Sequence, residues 1–341
     1  MTDHRPLEGN HLEMLQAIET DLQQATSPLN RSAYYAGFSK RIAYHFGWEE
    51  SSSEASGKRI RPLLCLLCCQ ASGGDWQVAL PAASGLELIH NFSLIHDDIE
   101  DDSATRRGRP TLWKAWNLPQ ALNAGDALLV LSHLTSRRLT SVGVTPSLAL
   151  EVQGTIDEGC LRVTLGQHLD LDYEARQEIT EQDYLEMIEG KTASLIAASC
   201  ASGAMVGGAT PDRVDHFRQF GHHMGMAFQI LDDILGIWGA PDITGKPAGD
   251  DLLSHKKSLP VVYGLTHCGS FLPLWNLPQP SAADIDAMKD FLEDCGALDH
   301  AQSSAGHHTD LALEHLELAK PADPAADQLR NLANRLLTRS Y

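Results

Sequence analysis

Positive charge is scarce in this sequence of 341 residues. Lysine and arginine together number 26 against 45 aspartates and glutamates, which gives a formal net charge of −19 at pH 7. Proteins that bind nucleic acid neutralise its phosphates with basic surface, so the composition argues against a nucleic acid partner. A cluster of basic residues in such a chain therefore stands out as a candidate anion-binding site.

Two kinds of long apolar segment are also missing. The first ten residues, MTDHRPLEGN, contain no apolar run of the kind that marks a secretory signal. The longest stretch without a charged residue, 192–211, is long enough to cross a bilayer, but it is rich in Gly, Ala and Ser. It predicts a buried helix whose small residues let neighbouring backbones approach closely, and no transmembrane span.

The seven cysteines are an odd number and show no metal-binding spacing. Cys65, Cys68 and Cys69 lie in the apolar segment PLLCLLCCQ without a second cysteine or histidine pair at zinc spacing. We expect these three to be buried core residues. This cysteine usage, without a signal segment, fits a reducing compartment, and we expect a cytoplasmic protein.

Alternating patterns typical of β-strands are almost absent. Apolar residues instead recur at helical spacing, as in Leu12, Leu15, Ile18 and Leu22. Helices without strands can bury their apolar faces only against each other, and no shift in composition separates two domains. We therefore predict an all-α fold in which residues 31–341 form a single helical domain and residues 1–30 form a partly flexible N-terminal segment.

An acidic run, HDDIEDD, ends one strongly apolar helical pattern. Asp97 and Asp101 lie four residues apart, hence on one face of a helix, where two carboxylates repel each other unless a cation offsets their charge. Oxygen ligands of this kind favour Mg²⁺, which commonly bridges to substrate phosphates. The basic segment RRGRP at 106–110 follows, and arginine beside a carboxylate-bound metal is suited to a diphosphate.

A second pair, Asp232 and Asp233, lies within the apolar segment FQILDDILGIWG. Carboxylates buried there are costly unless they are paired or bound to metal. Lysines follow in TGKPAGDD and HKK, and others stand in GKRIRP at 57–62 and GKT at 190–192. GKT looks like the end of a phosphate-binding P-loop, but Leu185 stands where that motif needs glycine, so the P-loop interpretation fails.

Six segments, in this order, resemble the motifs of the trans-isoprenyl diphosphate synthases, also called polyprenyl synthetases. They fall within about 56–265 and read GKRIRP, ELIHNFSLIHDDIEDDSATRRGRPT, NAGDALL, GKTASL, FQILDDILGIWG and TGKPAGDDLLSHKKSLP. The resemblance, greatest to geranylgeranyl diphosphate synthase, implies an isoprenoid-synthase-type fold. That fold is a single bundle of mostly antiparallel helices around a deep central pocket, with the two acidic motifs facing each other, usually in a homodimer.

The resemblance also implies the reaction. A Mg²⁺-dependent prenyltransferase of this family joins isopentenyl diphosphate head to tail (1'-4) to an allylic diphosphate and releases pyrophosphate. The allylic substrate would be dimethylallyl, geranyl or farnesyl diphosphate. The resemblance further implies about three Mg²⁺ ions with substrate bound, and this ion is usually shared between carboxylates, water and substrate phosphates.

Roles carry over to residues at matching positions. Isopentenyl diphosphate would be bound by Lys58, Arg61, His90 and Arg107. Magnesium would be held by Asp97, Asp101 and Asp232. The allylic diphosphate or the developing cation would contact Arg106, Lys191, Thr192, Gln229, Lys246 and Lys256. The catalytic set would comprise Lys191, Thr192, Gln229, Asp97 and Asp101.

Product length and one departure from the family pattern concern single positions. Phe92 and Ser93, five and four residues before Asp97, would help to set the floor of the pocket. One bulky residue there, with a two-residue gap inside the acidic motif, resembles the geranylgeranyl type and predicts a twenty-carbon product, with fifteen carbons next. Gly236 stands where the family usually has an acidic or amide side chain, so we expect weaker metal binding with water in that position.

Three alternatives remain at this stage. The first is a farnesyl diphosphate synthase. A class I terpene cyclase would share the first acidic motif, but it usually has an Asn/Asp, Ser/Thr, Glu pattern at its second metal site and would leave Lys58, Arg61 and Arg107 without a purpose. A regulatory subunit of a heteromeric synthase would keep the fold and tend to lose the acidic motifs, and both motifs are present here.

Overall fold

The structure is a computed structural model that describes residues 9–48, 57–240 and 249–337. Helices dominate the described residues, and the all-α prediction is confirmed. The α-helices are α1 (Gly9–Thr26), α2 (Ala36–Phe46), α3 (Ile60–Ala71), α4 (Leu80–Glu100), α5 (Leu112–Ala115), α6 (Leu118–Ser136), α7 (Pro146–Ala175), α8 (Glu181–Ile188), α9 (Ser194–Val206), α10 (Pro211–Trp238), α11 (Asp250–Leu253), α12 (Leu259–His267), α13 (Leu272–Trp275), α14 (Ala282–Asp294), α15 (Ala297–Leu318) and α16 (Ala325–Leu337). A π-helical turn, Glu189–Ala193, joins α8 to α9, and 3₁₀ helices cover Ser27–Asn30, Ala33–Tyr35, Trp76–Ala79 and Arg137–Val142.

A short hairpin is the β-structure of the described residues. β1 (Thr105–Arg106) pairs antiparallel with β2 (Arg109–Pro110), with Thr105 opposite Pro110 and Arg106 opposite Arg109. The turn residues Arg107 and Gly108 have φ values of 52° and 72°. Two-residue hairpin turns with both central φ values positive match the twist of the flanking strands. The basic segment after the acidic run is therefore a tight turn.

The chain forms two compact units. The first comprises Met1–Cys160, Ala198–Val214 and Pro321–Ala325, and the second comprises Leu161–Ala197, Asp215–Lys320 and Ala326–Tyr341. The boundaries fall within α7, α9 and α10, shortly after α15 and at the start of α16. The organisation of residues 31–341 as one domain stays a prediction. Within the N-terminal segment, α1 is helical and buries Met14, Ile18 and Leu22.

Small residues allow close helix packing in the core of the first unit. The three cysteines of α3 are fully buried, as the sequence predicts. A Cβ atom at Gly203 would lie 2.0 Å from the carbonyl oxygen of Cys65, and one at Gly207 would lie 2.4 Å from that of Cys69. Only glycine permits such contact, so the predicted close approach of this small-residue segment is confirmed.

A buried ion pair joins three elements of the first unit. Arg59, directly before α3, donates through Nε to Glu19 of α1 at 2.6 Å and through Nη1 to Glu87 of α4 at 2.9 Å. Arg59 is 4% exposed and Glu87 is 2% exposed. Asn91 also donates to Glu87, at 2.9 Å. Buried charges need partners of this kind, so Arg59 holds the start of α3 in place.

Two apolar clusters form the core of the second unit. The first is built mainly from α8, α10, α12 and α15 and includes Tyr184, Met187, Ile230, Ile234, Leu259, Val262, Ala301 and Ala305. The second includes Ile237, Leu252, Val261, Phe271, Trp275, Met288 and Leu292.

Lys257 donates to the carbonyl oxygens of Tyr173, Glu174 and Arg176 near the end of α7, at 2.6, 3.0 and 2.8 Å. Cations are favourable at this end of a helix.

One described helical segment has the length and composition of a membrane span. It is Trp76–Glu100, and 67% of its apolar window is buried inside the protein. Core helices of globular proteins pass the same test, so this single segment is weak evidence for a span. Residues 192–211 do not meet the test among the described helices.

Candidate active site

The acidic run closes α4 and is met by an arginine from the hairpin. Arg106 donates through Nη2 to Asp97 at 3.1 Å and through Nε to Asp98 at 2.7 Å. Asp98 is buried, Asp97 is partly buried and Asp101 is exposed. Burial raises the pKa of Asp98 to about 6, although Arg106 opposes the shift. One guanidinium therefore spans both members of the pair, a role that the sequence did not reveal for Asp98.

The residues predicted to bind isopentenyl diphosphate all belong to the first unit. Arg61 Nη1 is 3.2 Å from His90 Nε2. A guanidinium only donates hydrogen bonds, so Nε2 is the acceptor and the imidazole is neutral. Burial, followed by the charges of Arg61 and Arg107, holds the pKa of His90 well below its usual range. A Cβ atom at Gly57, which precedes Lys58, would lie 2.6 Å from the Arg107 guanidinium, so the GKRIRP and RRGRP segments are in contact.

A small cavity opens beside the hairpin. It is lined by Tyr44, His45, Asp98, Arg106, Arg107, Arg109, Pro110, Thr111 and Leu112. Burial and the neighbouring Arg107 and Arg106 lower the pKa of His45 to about 3. Three arginines around one cavity are suited to an anion. Sequence reasoning missed His45 and Tyr44, since neither stands in a motif.

The second acidic pair is divided in the same way as the first. Asp233 is 1% exposed and accepts hydrogen bonds from Tyr184 at 2.6 Å, Lys256 at 2.8 Å and Gln229 at 3.0 Å. Asp232 is exposed. The buried aspartate is thus fully engaged by protein groups, while its neighbour faces outward. Tyr184 had no signal in the sequence apart from its apolar spacing.

The π-helical turn places the GKT segment. Thr192 Oγ1 donates to Gln229 Oε1 at 2.7 Å, which links it to Asp233 through the Gln229 amide. Lys191 forms an ion pair with Asp170. A Cβ atom at Gly166 would lie 2.0 Å from the Lys191 nitrogen, so two helical segments touch there through backbone. Single π-helical turns are rare and often mark functional sites.

Gly236 lies against a carboxylate that the sequence did not single out. A Cβ atom at Gly236 would lie 2.3 Å from Asp251 Oδ2 and 2.4 Å from Asp251 Cγ. Asp251 is 7% exposed, and its Oδ2 is 3.6 Å from Lys256 Nζ. The space beside Gly236 is therefore filled by the Asp251 carboxylate, which arrives from a helix fifteen residues further along the chain. Only the folded structure brings the two together.

This contact predicts a sign change between two backgrounds. Gly236→Ala lowers the free energy of unfolding by about 1–3 kcal/mol, because the new methyl group overlaps the Asp251 carboxylate. In an Asp251→Ala background the same change raises the free energy of unfolding by about 1 kcal/mol, the helix preference of alanine over glycine. Urea unfolding of the four proteins measures both values. If Gly236→Ala changed the free energy of unfolding equally with Asp251 and with Ala at position 251, the close contact between residues 236 and 251 would be wrong.

The remaining predicted residues are placed as follows. Lys246 lies outside the described residues. Phe92 makes an edge contact with the His96 ring, with centroids 4.8 Å apart. Ser93 donates its hydroxyl to the His90 carbonyl at 2.8 Å. Lys58 is exposed and Lys256 is partly buried.

The carboxylates fit magnesium by their chemistry. Asp97, Asp101 and Asp232 offer only oxygen donors, and Asp101 and Asp232 are exposed. No group of three His, Cys, Asp or Glu side chains within the described ranges forms a metal cage by itself. Mg²⁺ is usually held by one or two carboxylates together with water and substrate phosphates, so it does not need such a cage.

Known proteins match the chain over most of its length. The Polyprenyl synthetase family model matches residues 49–293. A (2E,6E)-farnesyl diphosphate synthase from Mycobacterium tuberculosis is 36% identical over 310 residues, which covers 87% of this chain and 85% of that protein. A geranylgeranyl diphosphate synthase from the same species is 42% identical over 226 residues, covering 65% and 63%.

The structure matches solved structures as well. A polyprenyl synthetase from Streptomyces coelicolor A3(2) superposes with a TM-score of 0.87 at 32% identity, covering 96% of this chain and 98% of that one. The all-helical fold thus carries two aspartate pairs, each with a basic partner. The chain belongs to the polyprenyl synthetase family, whose members are trans-prenyltransferases. The predictions of family and enzyme class are confirmed.

Proposed function

We propose that this protein condenses isopentenyl diphosphate with an allylic diphosphate, releases pyrophosphate and makes geranylgeranyl diphosphate as its main product. Trans-prenyl diphosphate synthase activity is supported by the family. The observation that most supports the site is the single Arg106 guanidinium across Asp97 and Asp98. The experiment is to incubate purified protein with Mg²⁺, isopentenyl diphosphate and each allylic primer, then size the products. Absence of any chain elongation would overturn the proposal.

Asp97, Asp101 and Asp232 would hold the magnesium ions. The family is magnesium-dependent in general, and we propose three ions with substrate bound. When bound, the metal neutralises charge on the allylic diphosphate and on the departing pyrophosphate. Asp98 and Asp233 are the more buried members of their pairs and are engaged by protein donors, so their part would be to position Asp97 and Asp232.

Basic side chains would stabilise the leaving group. The allylic carbon–oxygen bond breaks and its electron pair stays with pyrophosphate, whose charge Arg106, Lys191, Lys246 and Lys256 would offset. Arg106, Lys191 and Lys256 each form an ion pair with aspartate in the described structure. These carboxylates keep the cations oriented, and a diphosphate offers the same kind of oxygen acceptor. Lys256 stays charged, since Asp233 and Asp251 raise its pKa despite burial.

The allylic carbocation that is left after pyrophosphate departs would be stabilised by the dipoles of uncharged groups. The Gln229 amide is fixed at both ends, by Thr192 and by Asp233, so Gln229 Oε1 and the Thr192 carbonyl can present their negative ends to an allylic cation without reorganisation. The isopentenyl double bond supplies the electron pair of the new carbon–carbon bond. Loss of a proton to pyrophosphate then restores a double bond.

Isopentenyl diphosphate would be held by Lys58, Arg61, His90 and Arg107. The neutral His90 accepts from Arg61 through Nε2, which leaves its Nδ1–H as a donor for a phosphate oxygen. Positioning of the two substrates supplies a large part of the rate enhancement in reactions of this kind. We propose these roles on the family positions, on the contact of Arg61 with His90 and on the approach of Arg107 to Gly57.

Product length would depend on Phe92. We expect Phe92→Ala to lengthen the product, because removal of the ring deepens the space that the growing chain can enter. Chromatographic sizing of the prenyl alcohols measures this, and Ser93→Ala is the matched control with almost no change in volume. An unchanged product distribution would count against Phe92 as the floor. The alternative product is farnesyl diphosphate, since the relatives include synthases of both kinds.

We also propose a homodimer. Leu118, Leu122, Val130 and Leu134 on α6 are 46%, 38%, 56% and 50% exposed, and at 3.6 residues per turn they spread over about 160° of one side of the helix. An exposed apolar stripe of this kind commonly marks a protein interface, and twofold dimers are the commonest oligomers. Light scattering should give twice the chain mass, and Val130→Glu with Leu134→Glu should give the monomer. A monomeric wild-type protein would contradict the proposal.

The cytoplasmic location that the sequence suggests stays a prediction.

A further inference from the structure

Six histidines gather on two helices of the second unit, at positions to which the proposed prenyl transfer assigns no role. α10 contributes His216, His222 and His223, and α15 contributes His307, His308 and His315. His216 pairs with His315 and His223 with His308, and in each pair the two Nδ1 atoms are 3.0 Å apart. We refer to these four paired residues as the histidine ladder.

The ladder follows from helix periodicity. Its members are seven residues apart on each helix, about two turns, and the pairing shows that α10 and α15 run antiparallel there. Along the ladder, successive ring centroids are 5.2 Å (His308 to His223), 5.7 Å (His223 to His315) and 5.3 Å (His315 to His216) apart. Four imidazoles therefore form one continuous row.

In each pair one Nδ1 donates a hydrogen bond to the other. A metal ion would replace this hydrogen bond once the donor ring carries its proton on Nε2 instead, which leaves a lone pair on both Nδ1 atoms. At 3.0 Å, two Nδ1 atoms cannot both carry a proton, so at least one of each pair is unprotonated. Burial and the neighbouring histidines lower the pKa values of His223 and His308 to about 4. These rings are neutral near pH 7, the form in which imidazole binds metal.

We propose that the histidine ladder binds divalent transition-metal ions, one at each Nδ1 pair. With metal–nitrogen bonds of about 2.0–2.1 Å, a nitrogen separation of 3.0 Å corresponds to an angle of about 90–100° at the metal. Adjacent ligands of Cu²⁺ and Ni²⁺ have this arrangement, whereas a tetrahedral Zn²⁺ site needs a wider one.

Each pair supplies two ligands and water completes the coordination. Within the described ranges no three histidine, cysteine or acidic side chains form a cage, so the site is a two-imidazole one. Mg²⁺ prefers oxygen and does not compete for it. A metal in the ladder joins α10 to α15 and stabilises the folded state by mass action, since the unfolded chain holds no such pair in place.

Calorimetry of the full-length protein without a histidine tag tests the site. NiCl₂ and CuCl₂ are titrated separately in excess Mg²⁺, which occupies the carboxylate sites. We expect the wild-type chain to bind up to two ions. The double variants His223→Gln/His308→Gln and His216→Gln/His315→Gln should each bind one ion. The variant with all four substitutions should bind metal at least about tenfold more weakly than wild type. His168→Gln/His267→Gln, a pair of exposed histidines elsewhere, is the matched control and should bind as wild type.

Spectroscopy and stability give readouts independent of prenyl transfer. The Cu²⁺ complex should show nitrogen coupling in its electron paramagnetic resonance spectrum, and Ni²⁺ should raise the Tm of wild type but not of the fourfold variant. Circular dichroism checks that each variant is folded. If the fourfold variant does not fold, the ion counts of the two double variants test the proposal instead. Wild-type binding in the fourfold variant, or a loss equal to that in the control, would overturn the proposal.

Discussion

Asp97→Ala should lower turnover by about 10²–10³-fold, the cost of losing one electrostatic partner of a transition state. Asp97 is the partly buried member of the first pair and shares Arg106 with Asp98. The change removes a proposed magnesium ligand and leaves Arg106 bound to Asp98 alone, so the guanidinium should stay in place. Steady-state assays at saturating substrates and increasing Mg²⁺ measure the effect.

Glu100→Ala is the control for this prediction. Glu100 is an exposed carboxylate on the last turn of the same helix, and removing it changes the local charge by the same amount as removing Asp97. We expect its turnover to stay within a few-fold of wild type, as for other exposed surface charges. Near-normal turnover of Asp97→Ala, or an equal loss in Glu100→Ala, would contradict the role given to Asp97.

The second large effect is on stability. Arg59→Met should lower the free energy of unfolding by about 3–5 kcal/mol, because removing one partner of a buried ion pair leaves the other charge uncompensated. Glu87, at 2% exposure, would lose its hydrogen-bonded guanidinium and keep the Asn91 amide, with the charges of Arg61 and Arg107 further away. Methionine keeps most of the aliphatic volume, so the loss reports mainly the charge. Urea unfolding followed by circular dichroism measures it.

A double variant separates charge from packing. Glu87→Gln in the Arg59→Met background removes the stranded carboxylate and keeps an acceptor for Asn91. We expect most of the lost stability to return, since replacing both partners of a buried pair is often close to neutral. Residue 59 has a left-handed φ of 49°, which is unfavourable for arginine and for methionine alike. The substitution Arg59→Met therefore leaves the backbone strain at this position unchanged. Failure of the second change to restore stability would point to packing.

The two aspartate pairs share one arrangement. In each, one carboxylate is buried and bound by protein donors, Asp98 by Arg106 and Asp233 by Tyr184, Lys256 and Gln229. The other member is more exposed. A buried aspartate with charged partners fixes the local helix and side-chain geometry, which leaves the outward member to meet a metal ion. We therefore propose that the adjacent Asp-Asp pattern combines a positioning residue with a metal ligand.

The sequence by itself determined the helical class, the family and the positions of the acidic and basic motifs. Helix periodicity put Asp97 and Asp101 on one face, and the small-residue content of 192–211 anticipated the backbone contacts of Gly203 and Gly207. These features are local, so spacing along the chain is enough to predict them. The catalytic roles assigned from the motifs stay proposals.

Only the tertiary structure decided which distant residues meet. It placed Asp251 against Gly236, Tyr184 on Asp233 and Arg59 between Glu19 and Glu87. It also aligned the histidine ladder, whose partners are 99 and 85 residues apart in the chain. Periodicity shows which face of a helix is buried but not which helix it meets or in what register, because many arrangements bury similar apolar area.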